Sequence, residues 1–115
     1  MAITEAFAGT QAIGSGEHSF TTDQGSPSPD VATTDGVYQV ICDLSDMVTG
    51  DELQLRVYEK TQASDAQGVI YQSNLVGPQS SLFVFPSLVL MHGWDVTGRA
   101  ISGTITVTWS IRKVA

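Results

Sequence analysis

The chain has 115 residues, with five Lys or Arg, twelve Asp or Glu and a formal net charge of −7. This length fits one domain, and the acidic balance argues against partners that need clustered basic residues, namely nucleic acid and anionic membranes. The single cysteine cannot form an internal disulfide, and no basic start followed by an apolar run indicates a secretory signal. We therefore expect a soluble single-domain protein made in a cytoplasm.

The N-terminal third lacks the pattern of a packed sheet. Residues 21–35 consist mostly of Thr, Asp, Gly, Ser and two prolines, which is typical of a loop or an extended arm. Four apolar residues ahead of this loop could dock short strands: Ile3, Phe7, Ile13 and Phe20. We therefore predict an N-terminal arm and polar loop at residues 1–35, and a β-sandwich core at residues 36–115, within a single domain.

Alternating side chains predict strands at residues 37–44, 52–60 and 104–112, and a further strand is predicted at residues 68–76, closed by Gly77-Pro78. The strand at 104–112 places four large apolar residues on one face: Ile105, Val107, Trp109 and Ile111. Little helix is expected beyond a short turn after residue 44. Short strands separated by Gly and Pro predict an all-β fold, specifically a small antiparallel β-sandwich or jelly roll with an extended N-terminal arm.

Residues 82–91 form a fifth predicted strand that is apolar on both faces, with Phe83 and Phe85 on the face opposite Leu82. Such a strand must be covered on both sides. The second cover is the N-terminal arm or another subunit, or else the loops of the same chain. These alternatives remain open at the level of sequence.

No set of residues predicts catalysis, and we assign no catalytic, cofactor-binding or metal-binding residue. Cys42 alternates with apolar residues, which indicates a buried thiol. His92 is expected in a turn and His18 on the surface, and neither has a partner nucleophile in the sequence. The acidic turn Asp43–Glu52 holds four carboxylates that could bind a hard cation, although such turns are more often solvated loops.

Four stretches carry a resemblance to a known class of proteins: MAITEAFAGTQAIGS (1–15), DGVYQVICDLSDMVTGDELQLRVYEK (35–60), HGWDVTG (92–98) and WSIRKVA (109–115). Together they cover about half of the chain. They resemble small proteins encoded beside the major capsid gene of tailed bacteriophages, which are candidate head decoration, or cement, proteins. The resemblance implies a small β-sandwich that forms homotrimers on the shell, bridges capsid subunits and carries no catalytic residue or cofactor.

From this resemblance we expect a virion protein on the capsid surface, made in the host cytoplasm, whose partners are the major capsid protein and further copies of itself. Neither nucleic acid nor membrane is an expected partner. Five residues are candidates for the interfaces: Ile3, Phe7, Phe83, Phe85 and Trp94. A tail or head–tail connector protein is the main alternative. A carbohydrate-binding module is the third, with Trp94, Tyr58 and Tyr71 as possible stacking platforms and Trp109 expected in the core.

Overall fold

The computed structural model describes residues 2–25 and 29–115. The described chain is all β, and it contains no helix long and apolar enough to cross a membrane. Its eight strands are β1 (Thr4–Ile13), β2 (His18–Ser19), β3 (Gly36–Asp43), β4 (Glu52–Lys60), β5 (Gln67–Val76), β6 (Phe83–Leu90), β7 (Asp95–Ser102) and β8 (Ile105–Lys113).

The strands form two four-stranded antiparallel sheets. The first sheet has the order β1-β8-β3-β6 and the second has the order β2-β7-β4-β5. Consecutive strands such as β1 and β2, or β3 and β4, lie in different sheets, which is the connectivity of an eight-stranded jelly roll. The predicted fold class, a small antiparallel β-sandwich, is therefore confirmed.

The core lies between the two sheets. It consists of the inward-facing side chains, which alternate along each strand with side chains that face outward. In β4, Leu53, Leu55 and Val57 are completely buried, as the alternation predicts. Trp109 of β8 is 2% exposed and Cys42 of β3 is fully buried, so both predicted core positions are confirmed. Burying large apolar side chains of this kind contributes about 1.5–3 kcal/mol each before entropy costs.

Residues 4–20 are part of the sandwich, which corrects the expected N-terminal arm. The polar loop predicted after it lies outside the strands in the described residues 21–25 and 29–35, and residues 1 and 26–28 of the predicted range are outside the described residues. Strand β1 pairs with β8 from Thr4, opposite Lys113, to Ile13, opposite Ile105. Ile13 and Phe20 are each 1% exposed and belong to the core. The backbone ladder holds this strand, whereas most of its side chains face solvent. The sandwich core therefore begins at β1 and not at residue 36.

Candidate interaction surfaces

Ile3 and Phe7, two of the predicted interface residues, lie at or just before the edge strand β1. Ile3 is 67% exposed. Phe7 is half-buried, and its ring meets the indole of Trp94 edge-on with the ring centroids 5.9 Å apart. Ile3 is therefore available to a partner, whereas the ring of Phe7 is partly engaged inside its own chain.

Trp94, a third predicted interface residue, is completely buried. Its indole Nε1 donates a hydrogen bond to the backbone oxygen of Thr34 at 3.0 Å, and its backbone pairs with that of Ala32. The ring also lies 4.7 Å from that of Tyr38 between centroids. Trp94 anchors the loop before β3 to the core, so its assignment as an interface residue is corrected.

Phe83 and Phe85 lie on β6, at the opposite edge of the first sheet from β1. Both rings are partly buried against the core and meet edge-on at 4.9 Å between centroids. The structure therefore separates the five predicted interface residues: one pair near β1, one pair on β6, and Trp94 in the interior.

A groove of about 500 Å³ lies on the outer face of the first sheet. Its lining is built from β1, β8 and β3 together with the loop before β6: Glu5, Ala8, Gly9, Thr10, Ile41, Asp43, Leu82, Thr108, Trp109 and Ser110. Most outward side chains there are small, so they project only a short distance from the backbone of the sheet. We call this surface the groove face.

The polar groups of the groove face bond mainly to one another. The hydroxyls of Thr10 and Thr108 are 3.0 Å apart, and the Ser110 hydroxyl donates to Glu5 Oε2 at 2.5 Å. Asp43 accepts a hydrogen bond from the backbone N–H of Ser45, and this bond lowers the pKa of the carboxyl below its usual value. The groove face thus combines satisfied polar groups with the exposed apolar side chain of Leu82.

A second surface runs along one side of the sandwich, where the edge strands β5 and β6 lie next to each other. A depression of about 430 Å³ there is lined by Ile70, Tyr71, Ser87, Leu88 and Val89. The ring of Tyr71 lies 6.3 Å from that of Phe85 between centroids, so the two sheets meet at this side. We call this surface the β5–β6 flank and define it by Val69, Ile70, Tyr71, Ser87 and Val89.

The β5–β6 flank belongs to an uncharged stretch of the chain. Residues 66–91 contain no Asp, Glu, Lys, Arg or His, although the chain as a whole has a formal net charge of −7. The stretch includes all of β5 and β6. The two strands of this side therefore carry no charge of their own, although Glu52 and Arg56 of the neighbouring strand β4 form hydrogen bonds with Asn74 and Gln72 of β5.

The outer face of the second sheet is polar, and its side chains bind one another. Glu17 Oε2 accepts hydrogen bonds from the hydroxyls of Tyr58 at 2.6 Å and Thr97 at 2.5 Å. Arg56 donates to the Tyr58 hydroxyl and to Gln72. Burial, together with the hydrogen bond to Glu17, raises the pKa of Tyr58. Tyr58 is 8% exposed, so its ring is not a platform on which a sugar can stack.

The four carboxylates of the acidic turn Asp43–Glu52 accept hydrogen bonds from four different donors. Asp43 accepts from the N–H of Ser45, Asp46 from that of Thr106, Asp51 from that of Val48, and Glu52 from the side-chain amide of Asn74. Within residues 2–25 and 29–115, no three His, Cys, Asp or Glu side chains are grouped to hold a metal ion. Hydrogen bonds within the turn, and from Thr106 of β8 and Asn74 of β5, therefore organise it.

His18 is buried, which corrects its expected place on the surface. Its Nε2 lies 2.9 Å from Asp23 Oδ1, and its ring lies 5.7 Å from the indole of Trp109 between centroids. His18 therefore connects the loop after β2, through Asp23, to the core residue Trp109. Burial also raises the pKa of the Cys42 thiol to about 12, which keeps this group protonated and unreactive.

No protein-family model matches this chain, and no curated protein matches its sequence. Among solved structures, the crystal structure of Yersinia pseudotuberculosis-derived mitogen (YPM) is similar, with a TM-score of 0.54 and 12% sequence identity. The match covers 99% of this chain and 86% of that chain. At this identity the likeness concerns the fold alone, and it agrees with the β-sandwich described above.

Proposed function

We propose that this chain is a non-enzymatic structural protein of a tailed-phage virion, made in the host cytoplasm, which binds the outside of the capsid. There it bridges subunits of the major capsid protein and stabilises the head. The observation that supports this proposal is an acidic jelly roll whose exposed apolar side chains gather on surfaces with little charge. Exposed apolar surface of this kind is typical of protein–protein contacts.

The groove face is the surface that we propose to contact the capsid. In most antiparallel sandwiches the outward positions carry charged residues. Here the outward residues along the middle of β1 and β8 are small and uncharged: Ala8, Thr10, Ala12, Thr106, Thr108 and Ser110. The lining of the groove face includes two carboxylates, Glu5 and Asp43, both of which accept hydrogen bonds, and it is otherwise uncharged. A low face with so little charge allows close approach of another broad protein surface. Leu82, which is 57% exposed, would then bury its side chain against the shell.

The exposed residue Ile3 extends this contact beyond the edge of the sheet. It directly precedes β1, whose outward residues line the groove face. Its neighbour Thr4 pairs with Lys113, so Ile3 directly precedes the end of the ladder, and its exposed side chain remains free to pack on a neighbour. The proposed role of Ile3 in attachment thus follows from an ordered strand and not from a loose arm.

The carbohydrate-binding alternative loses most of its stacking residues. Trp94 and Tyr58 are buried, which leaves Tyr71 as the exposed ring among the three proposed platforms. Sugar-binding faces depend on exposed aromatic rings together with free polar groups. The polar groups beside Tyr58 are bonded to each other. We therefore favour a protein partner over a sugar.

The proposal is tested by separating the heads and tails of purified virions of the phage that encodes this chain. We expect mass spectrometry to find the protein in the head fraction. Heads assembled without it should form normally but release their DNA at a lower temperature than complete heads. Recovery of the protein with the tails, or heads of unchanged thermal stability, would contradict the proposal and would support the tail or connector alternative.

A further inference from the structure

We propose that two copies of this chain associate through the β5–β6 flank, with the two β5 edges antiparallel across a two-fold axis. This inference goes beyond attachment to a capsid, because it concerns the purified protein on its own. It also differs from the homotrimer that the sequence resemblance implies. Four features of the flank support it: an unprotected strand edge, exposed apolar side chains, the absence of charge, and sufficient area.

Strand β5 has an unprotected outer edge. It pairs with β4 on one side, and in the described chain no strand pairs with its other side. Natural edge strands are usually protected by charged residues, proline, short length or a β-bulge, and the bulge of β5 is confined to Ile70. β6 contains Pro86, β2 has two residues and β1 carries Glu5, whereas the ten residues of β5 include neither charge nor proline.

The pairing of β5 with β4 is regular from Tyr71 to Val76. A bulge precedes this segment, because Ile70 has no partner between Val69, opposite Tyr58, and Tyr71, opposite Val57. These six residues pair with β4 without a break in register, so a second strand can form a ladder along their other side. Two such segments, one from each copy, would join the second sheets into one continuous eight-stranded sheet.

Exposed apolar side chains flank this edge on both sheets. Ile70 is 44% exposed and Tyr71 53% exposed on β5, and Val89 is 75% exposed on β6. These side chains surround the depression between the two strands. A copy related by a two-fold axis would place the same side chains opposite, so that each apolar group packs against another apolar group.

The charge distribution favours a second copy of this chain as the partner of the β5–β6 flank. It also favours a two-fold axis as the symmetry of the dimer. Two molecules of net charge −7 repel each other over most of their surfaces. When the flank contacts itself, two uncharged surfaces meet and the acidic residues stay in solvent. An isologous contact of this kind forms a closed dimer. In a three-fold ring, the flank would instead have to meet a different surface of its neighbour.

The flank is large enough for a specific dimer. Ten residues of β5 at ~3.3 Å per residue span about 33 Å, and the sandwich is 20 Å across its shortest dimension. The outline of this side is thus at most about 650 Å² per copy, or ~1,300 Å² in the pair, which reaches the lower end of the range of stable interfaces of about 1,200–2,000 Å².

The test is the mass of the purified full-length chain by sedimentation equilibrium over a range of concentrations. We expect wild-type protein to approach twice the 12.2 kDa chain mass. I70K should raise the dissociation constant at least tenfold, because a buried, unpaired ammonium opposes association. The matched control is I101K, since Ile101 is 42% exposed on β7 and the substitution changes the net charge equally. It should dimerise like wild type.

A second variant keeps the test decisive if I70K does not fold. V89K alters a side chain that is 75% exposed on β6, and it should also weaken the dimer while leaving the circular dichroism spectrum unchanged. A monomer at high concentration, a trimer or larger ring, or a dimer unaffected by I70K or V89K would overturn the proposal. These measurements contain no capsids, so their outcome is independent of the proposed virion function.

Discussion

The ring of Phe20 stacks on the indole of Trp109, with the ring centroids 4.4 Å apart. The indole Nε1 of Trp109 also donates a hydrogen bond to the backbone oxygen of Phe20 at 2.9 Å. One contact thus joins the loop after β2 to the last strand of the chain through both packing and a satisfied polar group. The N-terminal segment therefore contributes directly to the packing of the core.

Trp109→Ala should destabilise the protein by ~3–5 kcal/mol, because it removes a large buried ring and leaves a cavity. The loss is a large fraction of the total stability of a small domain, about 5–15 kcal/mol. Urea denaturation measures the effect. Thr106→Ala, which alters an exposed side chain on the same strand, should change stability by less than about 0.5 kcal/mol. A Trp109→Ala protein with the wild-type midpoint would remove this residue from the core.

Gly9→Ala should also destabilise the fold. Gly9 lies opposite Trp109 in the β1–β8 ladder, and a Cβ added there would lie 2.5 Å from the indole Cζ2. A clash with a ring that is itself packed on Phe20 should cost about 1–3 kcal/mol. Gly14→Ala is the matched control, because a Cβ there meets nothing within 4 Å. Equal melting temperatures for the two variants would contradict this packing.

Cys42 should resist thiol reagents in the folded protein. These reagents attack the thiolate, and burial raises the pKa of this thiol to about 12. At pH 8 we expect no labelling by an aromatic disulfide reagent on the time scale in which the denatured protein reacts completely. Rapid labelling of the native protein, with its circular dichroism spectrum unchanged, would show that Cys42 is accessible.

The stability contribution of Asp95 should decrease as the pH rises. Burial raises the pKa of this carboxyl above its usual value, although the N–H of Asp30 and the hydroxyl of Thr21 donate hydrogen bonds to it. The folded state therefore binds the proton more tightly than the unfolded state does. The resulting stabilisation is fully present below the unfolded pKa of about 3.9 and is lost as the pH rises through the folded pKa.

Denaturation of wild type and Asp95→Asn at pH 4 and pH 7 tests the sign of this effect. The free energy of unfolding of wild type relative to the variant should be higher at pH 4 than at pH 7. Asp43 is the control with the opposite sign, because its pKa is lowered by the N–H of Ser45. Its contribution relative to Asp43→Asn should decrease as the pH falls. A difference for Asp95 that increases with pH would be inconsistent with its burial.

Five of the eight strands could be predicted from the sequence: β3, β4 and β8 from side chains that alternate between two faces, β5 from the Gly-Pro turn that closes it, and β6 from an apolar run. The strand at 52–60 was predicted with the bounds that the structure has, since Leu53, Leu55 and Val57 all face inward. Trp109 was predicted in the core for the same reason. Such alternation directly reports which face of a strand is buried.

Strands β1 and β7 could not be predicted because their patterns depend on distant parts of the chain. Most of β1 consists of Ala, Gly and Thr, so it lacks an apolar face and is held by its ladder with β8. β7 buries two polar residues, Asp95 and Thr97. It also contains Gly98, where a Cβ would lie 2.8 Å from the ring of Phe20. These contacts become visible only in three dimensions.

The candidate surfaces were only partly predictable. The uncharged stretch at residues 66–91 is visible in the sequence, and its second half was predicted to need cover. The sequence does not show that β5 and β6, which lie in different sheets, meet at one side of the sandwich. Nor does it show that Trp94 is bonded to Thr34 inside the molecule, because an aromatic residue in a loop carries no periodic pattern.

The most direct test of the proposed function is sedimentation of the purified chain with expanded capsids that lack it. We expect saturable binding to the outer surface with a fixed number of copies per capsid. Leu82→Asp on the groove face should weaken binding at least tenfold, whereas Ile101→Asp, an equal change of charge on the second sheet, should bind like wild type. Absence of the chain from the pelleted capsids at saturating concentration, or equal binding by both variants, would contradict attachment through the groove face.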